Sequence, residues 1–100
     1  MAAAARGIRK DTVKTGHGCT ATTSTLGCSN DVLINGIGAV RFGDTCDNHT
    51  IPSGPVCVPH QPTLTTASSS VIINGKGAGR QGDGYSGEII ISGSPDVIFG

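Results

Sequence analysis

Bulky side chains are scarce in this sequence of 100 residues, which has no tryptophan, one tyrosine, two phenylalanines and one methionine. So few large apolar groups allow only a thin core, and a small domain with a thin core normally needs a disulfide, a metal ion or a partner. Every apolar stretch is interrupted by Gly, Ser, Thr or Asn, so we expect no segment that spans a bilayer. The segment of residues 1–5 is too short and too weakly apolar to be the apolar core of a signal peptide.

An excess of charge of either sign is also lacking, because seven basic residues balance seven acidic ones. With no basic patch and few aromatics, the composition argues against nucleic-acid binding. The aspartates recur in turn-like contexts rather than as an acid/base pair, which argues against an enzyme. Sixteen glycines and five prolines disfavour long helices and favour strands and turns.

The sequence contains an internal repeat. Residues 32–44 and 71–83 are identical at nine of thirteen positions, at an offset of 39, including Asn-Gly, Ala-x-Arg and Gly-Asp pairs. In each copy a β-branched run precedes Asn-Gly, the pair that supplies the positive-φ residues of a tight hairpin turn. Each copy is therefore predicted to be a β-hairpin.

A third copy is divided between the two ends of the sequence. Residues 94–100 repeat the entry strand, and residues 5–11 resemble the exit strand that begins at Ala39. Three hairpins in a ring predict an all-β fold with pseudo-threefold symmetry: a small cone, formed as one domain over residues 1–100, with the two chain ends close together.

The connections between the hairpins contain the residues with metal or redox chemistry. Residues 12–30 and 45–70 form two long connections, and residues 84–93 form a short one. All histidines and cysteines lie in the two long connections, outside the predicted hairpins: His17, Cys19, Cys28, Cys46, His49, Cys57 and His60. Long loops in a small domain need support, so a shared metal site formed by three His and one Cys is one interpretation. The alternative is three surface histidines and two disulfides.

Taken together, these features resemble the PAAR-repeat proteins, which form the tips of the spikes of type VI secretion systems and contractile phage tails. The resemblance extends over nearly the whole chain. It depends on Thr15-Gly16-His17-Gly18-Cys19, on both Val-x-Ile-Asn-Gly units, on both Arg-x-Gly-Asp exits and on residues 91–100. The Pro-Ala-Ala-Arg element itself is degenerate, as Gly38-Ala39-Val40-Arg41 and Gly77-Ala78-Gly79-Arg80.

The resemblance implies a structural tip, not an enzyme, that caps a trimeric spike protein with one tip per trimer and pierces a target membrane. It implies assembly in the cytoplasm, followed by a place at the end of a secreted spike or virion tail. Loops near the point would be pinned by one structural zinc, for which His17, His49 and His60 match the family's three histidines. The family's cysteine has no counterpart just after the last Gly-Asp. We therefore expect Cys19 as the fourth ligand, with Cys57, Cys46 or a water as alternatives.

Two further functions remain open from the sequence. Proteins of this family also carry effector cargo, so the chain could be an adaptor on whose outer surface a cargo protein docks. Three histidines and a water would form the open zinc site of a small hydrolase. Against the hydrolase, no carboxylate stands at a motif spacing from a histidine, and Asp47 near His49 is the closest.

Overall fold

Short antiparallel β-strands joined by turns and loops form the molecule. The computed structural model describes all 100 residues. It contains no helix, so the all-β prediction is confirmed. No helix is therefore long and apolar enough to cross a membrane. The strands are β1 (Ala2–Ala3), β2 (Thr12–Lys14), β3 (Thr22–Ser24), β4 (Leu33–Ile34), β5 (Ile37–Gly38), β6 (His49–Ser53), β7 (Val56–His60), β8 (Ile72–Ile73), β9 (Lys76–Gly77), β10 (Gly84–Tyr85), β11 (Glu88–Ile90) and β12 (Ile98–Phe99).

The two intact copies of the repeat form the predicted hairpins. β4 pairs with β5, and β8 pairs with β9, each around an Asn-Gly turn. Asn35 and Gly36 have φ values of 55° and 78°, and Asn74 and Gly75 have 54° and 78°. Positive φ at both central residues defines the type I′ turn that matches strand twist.

The third hairpin joins the two ends of the chain, as the divided copy predicts. β1 pairs with β12 in the register Ala2↔Phe99 and Ala3↔Ile98. The alignment of the exit strand needs one correction, because the backbone contacts of Ala39 and Ala78 are made here by Ala4, not by Ala5. Arg6 therefore corresponds to the arginine of the other two copies.

A closed ring of backbone hydrogen bonds holds the three units around the pseudo-threefold axis. Ala5 N–H donates to Gly79 O at 3.0 Å, Gly79 N–H to Val40 O at 2.8 Å, and Val40 N–H to Ala5 O at 3.1 Å. A Cβ at Gly79 would lie 2.9 Å from Val40 Cγ1 and 3.1 Å from Leu64 Cδ2. The crowding at the axis explains why one of the three positions is glycine.

Two small hydrophobic clusters lie on opposite sides of this ring. Consecutive residues separate into them, since Ala39 belongs to one cluster and Val40 to the other. The first, between the repeat hairpins, contains Ala4, Ile34, Ala39, Ile73 and Ala78. The second, towards the connections, contains Ala5, Val13, Val40, Cys46, Leu64, Tyr85 and Ile90. The core is thus thin, as the composition predicts.

Each copy ends in an arginine that is clamped to its own aspartate. Arg41 donates from its backbone N and from Nε to Asp44 Oδ2, at 2.8 and 3.0 Å, and from Nη2 to Oδ1 at 3.0 Å. The remaining nitrogen, Nη1, donates to Asn74 Oδ1 in the next hairpin at 3.2 Å. The clamp recurs in Arg80–Asp83 and Arg6–Asp11. These bidentate pairs therefore connect neighbouring units as well as ending their own.

The Arg6–Asp11 clamp spans a longer segment than the other two. Ile8 and Arg9, with φ values of 52° and 63°, accommodate the additional residues. Burial opposes the charge of Asp11, but hydrogen bonds from Arg6 and Ser92 outweigh it and lower the pKa of this carboxyl. Asp11 therefore remains ionised at neutral pH inside the fold.

The connections between the repeats differ from the predicted long loops. Residues 12–30 contain the antiparallel pair β2–β3, residues 45–70 contain β6–β7, and residues 84–93 contain β10–β11. β10, β11, β2 and β3 form one four-stranded sheet. The histidines lie outside the three repeat hairpins, as predicted, but His49 begins β6 and His60 ends β7, so two of them belong to a further hairpin that the sequence did not predict. The β-branched Thr, Val and Ile of these segments favour strands despite the intervening Pro and Gly.

Because the Arg6–Asp11 pair is buried, we expect substitution of Arg6 to destabilise the protein more than substitution of Arg9, which lies close by in sequence. The Arg6 and Asp11 side chains are 9% and 1% exposed, whereas Arg9, paired with Asp47, is 60% exposed. Arg6→Lys should lower the free energy of unfolding by about 2 kcal/mol, since lysine cannot reproduce the bidentate pair. Arg9→Lys should cost no more than about 0.5 kcal/mol. Urea denaturation of both variants checks this, and equal costs would contradict it.

Candidate metal centre

The connections bring four donor side chains to one place. His49 and His60 are register partners across β6 and β7, so the ladder sets them side by side. His17 lies in the connection between β2 and β3. Glu88 begins β11, directly after a turn in which Ser86 and Gly87 have φ values of 54° and 96°. Donors from all three connections therefore converge.

The donor atoms of this cluster are very close together. Glu88 Oε2 lies 3.0 Å from His17 Nε2 and 2.7 Å from His60 Nε2, and Glu88 Oε1 lies 2.7 Å from His49 Nε2. One donor atom from each of the four side chains lies within 4.8 Å of the others. The His49 and Glu88 side chains are 2% and 3% exposed, so the cluster is shielded on their side.

Two of these atoms lack hydrogen-bond partners although they nearly touch. His49 Nε2 and Glu88 Oε1 are buried and 2.7 Å apart, but their orientation does not form a hydrogen bond. Buried unpartnered polar atoms are costly unless a further group satisfies them. A cation between them would accept both lone pairs. The four side chains of this cluster fit a metal ion and could hold one.

Backbone carbonyls orient two of the imidazoles. The Nδ1 atom of His17 lies 2.8 Å from Gly18 O, and that of His49 lies 2.9 Å from Asp47 O. A carbonyl only accepts, so each Nδ1 carries a proton, and the other ring nitrogen, Nε2, faces Glu88. Gly18 O, against a smaller effect of burial and together with Glu88, raises the pKa of His17. The surroundings favour positive charge here, as a proton or as a bound cation.

The prediction that Cys19 is the fourth ligand is wrong. Its Sγ is bonded to Cys57 Sγ, which removes both thiolates as ligands. Cys46 is a free thiol 3.9 Å from Nδ1 of His49, on the side of the ring that faces away from Glu88. Burial, with a smaller contribution from Glu88, raises the pKa of Cys46 to about 12. The alternative of two disulfides is also wrong, because Cys28 is free as well.

Glu88 is the cluster residue that sequence reasoning missed. It is the only glutamate in the chain, and it lies in the third connection, where the cysteine of the resembling family was sought. Its position there, after the last Gly-Asp, was the available signal. A carboxylate is also a zinc ligand, but Glu88 is far in sequence from every histidine, so spacing alone did not connect it to them.

No family model matches the chain, and no curated protein matches it. The chemistry of the site is argued from its geometry. That geometry is three imidazoles and one carboxylate, drawn from all three connections, with their donor atoms converging.

The cluster predicts which side chains determine metal content. Protein purified without added metal should contain about one divalent metal per chain, measured by elemental analysis. Glu88→Ala should reduce that content severalfold and lower the melting temperature, since a structural metal contributes directly to folding. Cys46→Ala is the control and should retain the metal. Retention in Glu88→Ala, or loss in Cys46→Ala, would contradict the assignment of Glu88.

Proposed function

We propose that this chain is a structural spike tip, which caps a trimeric spike protein of a contractile injection machine, either a type VI secretion system or a phage tail. The observation that carries the proposal is the pseudo-threefold arrangement of exposed apolar side chains on the repeat hairpins. Most of the sequence features that resemble PAAR-repeat proteins lie in the same three units, namely both Val-x-Ile-Asn-Gly units, both Arg-x-Gly-Asp exits and residues 94–100.

The equivalent side chains are Leu33, Ile72 and Ile98. Each precedes the last entry-strand residue of its hairpin, and they are 59%, 57% and 57% exposed. Repeated exposed apolar groups mark an interaction surface in a small protein. A trimeric partner presents three identical faces around a true threefold axis. One chain with three similar faces can therefore cover all three faces of a trimer.

Short sheets at this end offer a second means of attachment. β4–β5, β8–β9 and β1–β12 are each two-stranded, so every one of them leaves strand edges without a neighbour. Exposed edges accept a strand from a partner through main-chain hydrogen bonds. Apolar contact and strand addition at three equivalent places support a one-to-three complex.

The shape of the molecule supports the role of a tip. Its extents are 41 × 23 × 23 Å, so it is nearly twice as long as it is wide. The β6–β7 hairpin, which contains Pro52, Pro55 and Pro59, is the longest in the structure. Proline restricts the backbone, and cross-links oppose local unfolding where few side chains pack. Rigidity, not catalysis, is what a piercing tip requires.

We assign zinc to the cluster as its structural ion, one per chain. Three histidines and one glutamate supply four protein ligands, which is the closed arrangement of a structural zinc site. Zinc bound there would connect all three connections and cross-link them near the point. A hydrolase would instead need a coordination position left to water, whereas Glu88 would take the fourth position here.

The proposal predicts a stoichiometry and a binding surface. Mixed with a trimeric spike protein from the same genome, the chain should form a complex of one tip to three spike chains, measured by light scattering after size-exclusion chromatography. Leu33→Glu combined with Ile72→Glu should abolish the complex, because buried unpaired charges oppose docking. Val56→Glu is the control, since Val56 is equally exposed, at 56%, but lies on β7. A three-to-three complex, or loss of binding in the control alone, would contradict this.

A further inference from the structure

The disulfide and the metal cluster connect the same two segments. Cys19 lies two residues after His17, and Cys57 lies three residues before His60. The Cys19–Cys57 bond therefore joins the His17 loop, residues 15–21, to the strand that ends in His60. A metal bound to both histidines would join the same pair of segments.

Three of the four donors are held in place without the disulfide. His49 and His60 are fixed across the β6–β7 ladder. Glu88 begins the strand β11, which pairs with β10 on one side and with β2 on the other. Their positions depend on backbone hydrogen bonds within strands, which persist whether or not the cysteines are oxidised.

His17 is held mainly within its own loop, where the buried Thr15 donates from Oγ1 to Thr20 O and Ala21 O, and it has little support from other strands. No residue from 16 to 22 is buried, and both Gly16 and Cys19 have positive φ, at 73° and 70°. Besides the disulfide, the loop is tied to β6 by Thr20, whose Oγ1 lies 2.9 Å from Thr50 Oγ1 and accepts from Thr50 N–H at 3.1 Å. The disulfide is the one covalent constraint that places His17 against the β6–β7 hairpin.

We propose that the disulfide pre-organises the metal site, so that oxidation of Cys19 and Cys57 raises the affinity of the cluster for its metal. This inference rests on the proposed role of the cluster as a metal site. Oxidation removes one proton and one electron from each thiol and forms the S–S bond. The two electrons and two protons pass to a disulfide oxidant, such as oxidised glutathione, which is reduced to two thiols.

The physical basis is the cost of ordering a loop. With the bond formed, His17 is already beside His60 and Glu88, so binding a metal orders little additional chain. With the thiols reduced, the loop must become ordered when the metal binds, and this lowers the affinity for the metal. The coupling is reciprocal, so a bound metal must favour formation of the disulfide by the same factor.

Because of this coupling, the affinity for the metal depends on whether the compartment allows the Cys19–Cys57 disulfide to form. Cytosolic thiol pools keep cysteines reduced, whereas periplasmic and extracellular surroundings allow disulfides to persist. The tip therefore holds its metal most tightly after it has left the cytosol, which is where a spike meets its target. No thiolate is needed as a ligand, so oxidation leaves the donor set intact.

The test is zinc affinity, measured by competition with a chromophoric chelator. The Cys19→Ser/Cys57→Ser double variant, which has neither bond nor thiolate, should bind Zn²⁺ about tenfold more weakly than the oxidised wild-type protein. Cys28→Ser keeps the bond and should bind within twofold of the wild type. Wild-type protein reduced with a phosphine should resemble the double variant, which provides a second measurement if that variant folds poorly.

Hydrogen exchange locates the effect. Reduction should increase exchange at the amides of residues 16–20 severalfold and leave those of Ala39 and Ala78, in the repeat hairpins, unchanged. Equal zinc affinity in oxidised and reduced protein would overturn the coupling while leaving the metal site in place. Tighter binding by the reduced protein would also overturn it, because a thiolate would then be joining the site. Absence of zinc binding in every form would overturn the metal site itself, and the coupling with it.

Discussion

Three backbone hydrogen bonds among Ala5, Val40 and Gly79 are the constraint on which the rest of the structure depends. Each unit donates one bond and accepts one, so no unit is satisfied until all three are in place. The bonds are buried, and an unpaired amide there would cost more than the bond itself contributes. The two thin hydrophobic clusters pack on either side of this ring, and the arginine clamps reinforce it from outside.

Much of the fold was predictable because the repeat is so regular. Asn-Gly pairs specify type I′ turns by local geometry alone, and the divided copy implied pairing between the chain ends. The longer-range part of the pattern was less accessible. Asn74 is required for its turn and also accepts a hydrogen bond from Arg41 of the preceding unit. A single sequence shows that the two motifs recur together, but it does not show that one contacts the other.

The candidate site was predictable only in part, because its members come from separate connections. Residue type identified the three histidines, since imidazole is scarce in this chain and suits metals. It did not identify Glu88, whose role depends on the turn at Ser86 and Gly87 that directs β11 back along β2. The pairing of Cys19 with Cys57 is likewise a consequence of packing between two hairpins, and four cysteines allow three pairings by sequence alone.

The divided unit also has a consequence for the order in which the molecule forms. β1 and β12 pair residues from opposite ends of the chain, and Arg80 Nη1 donates to the carbonyl oxygen of Gly100. During synthesis the two intact repeat hairpins, β4–β5 and β8–β9, can close as they emerge, because their strands are adjacent in sequence. The exit strand of the third unit is made first and must wait for residues 94–100. Closure around the axis is therefore a late event of high contact order, and the chain becomes a single cooperative body only after translation of these residues.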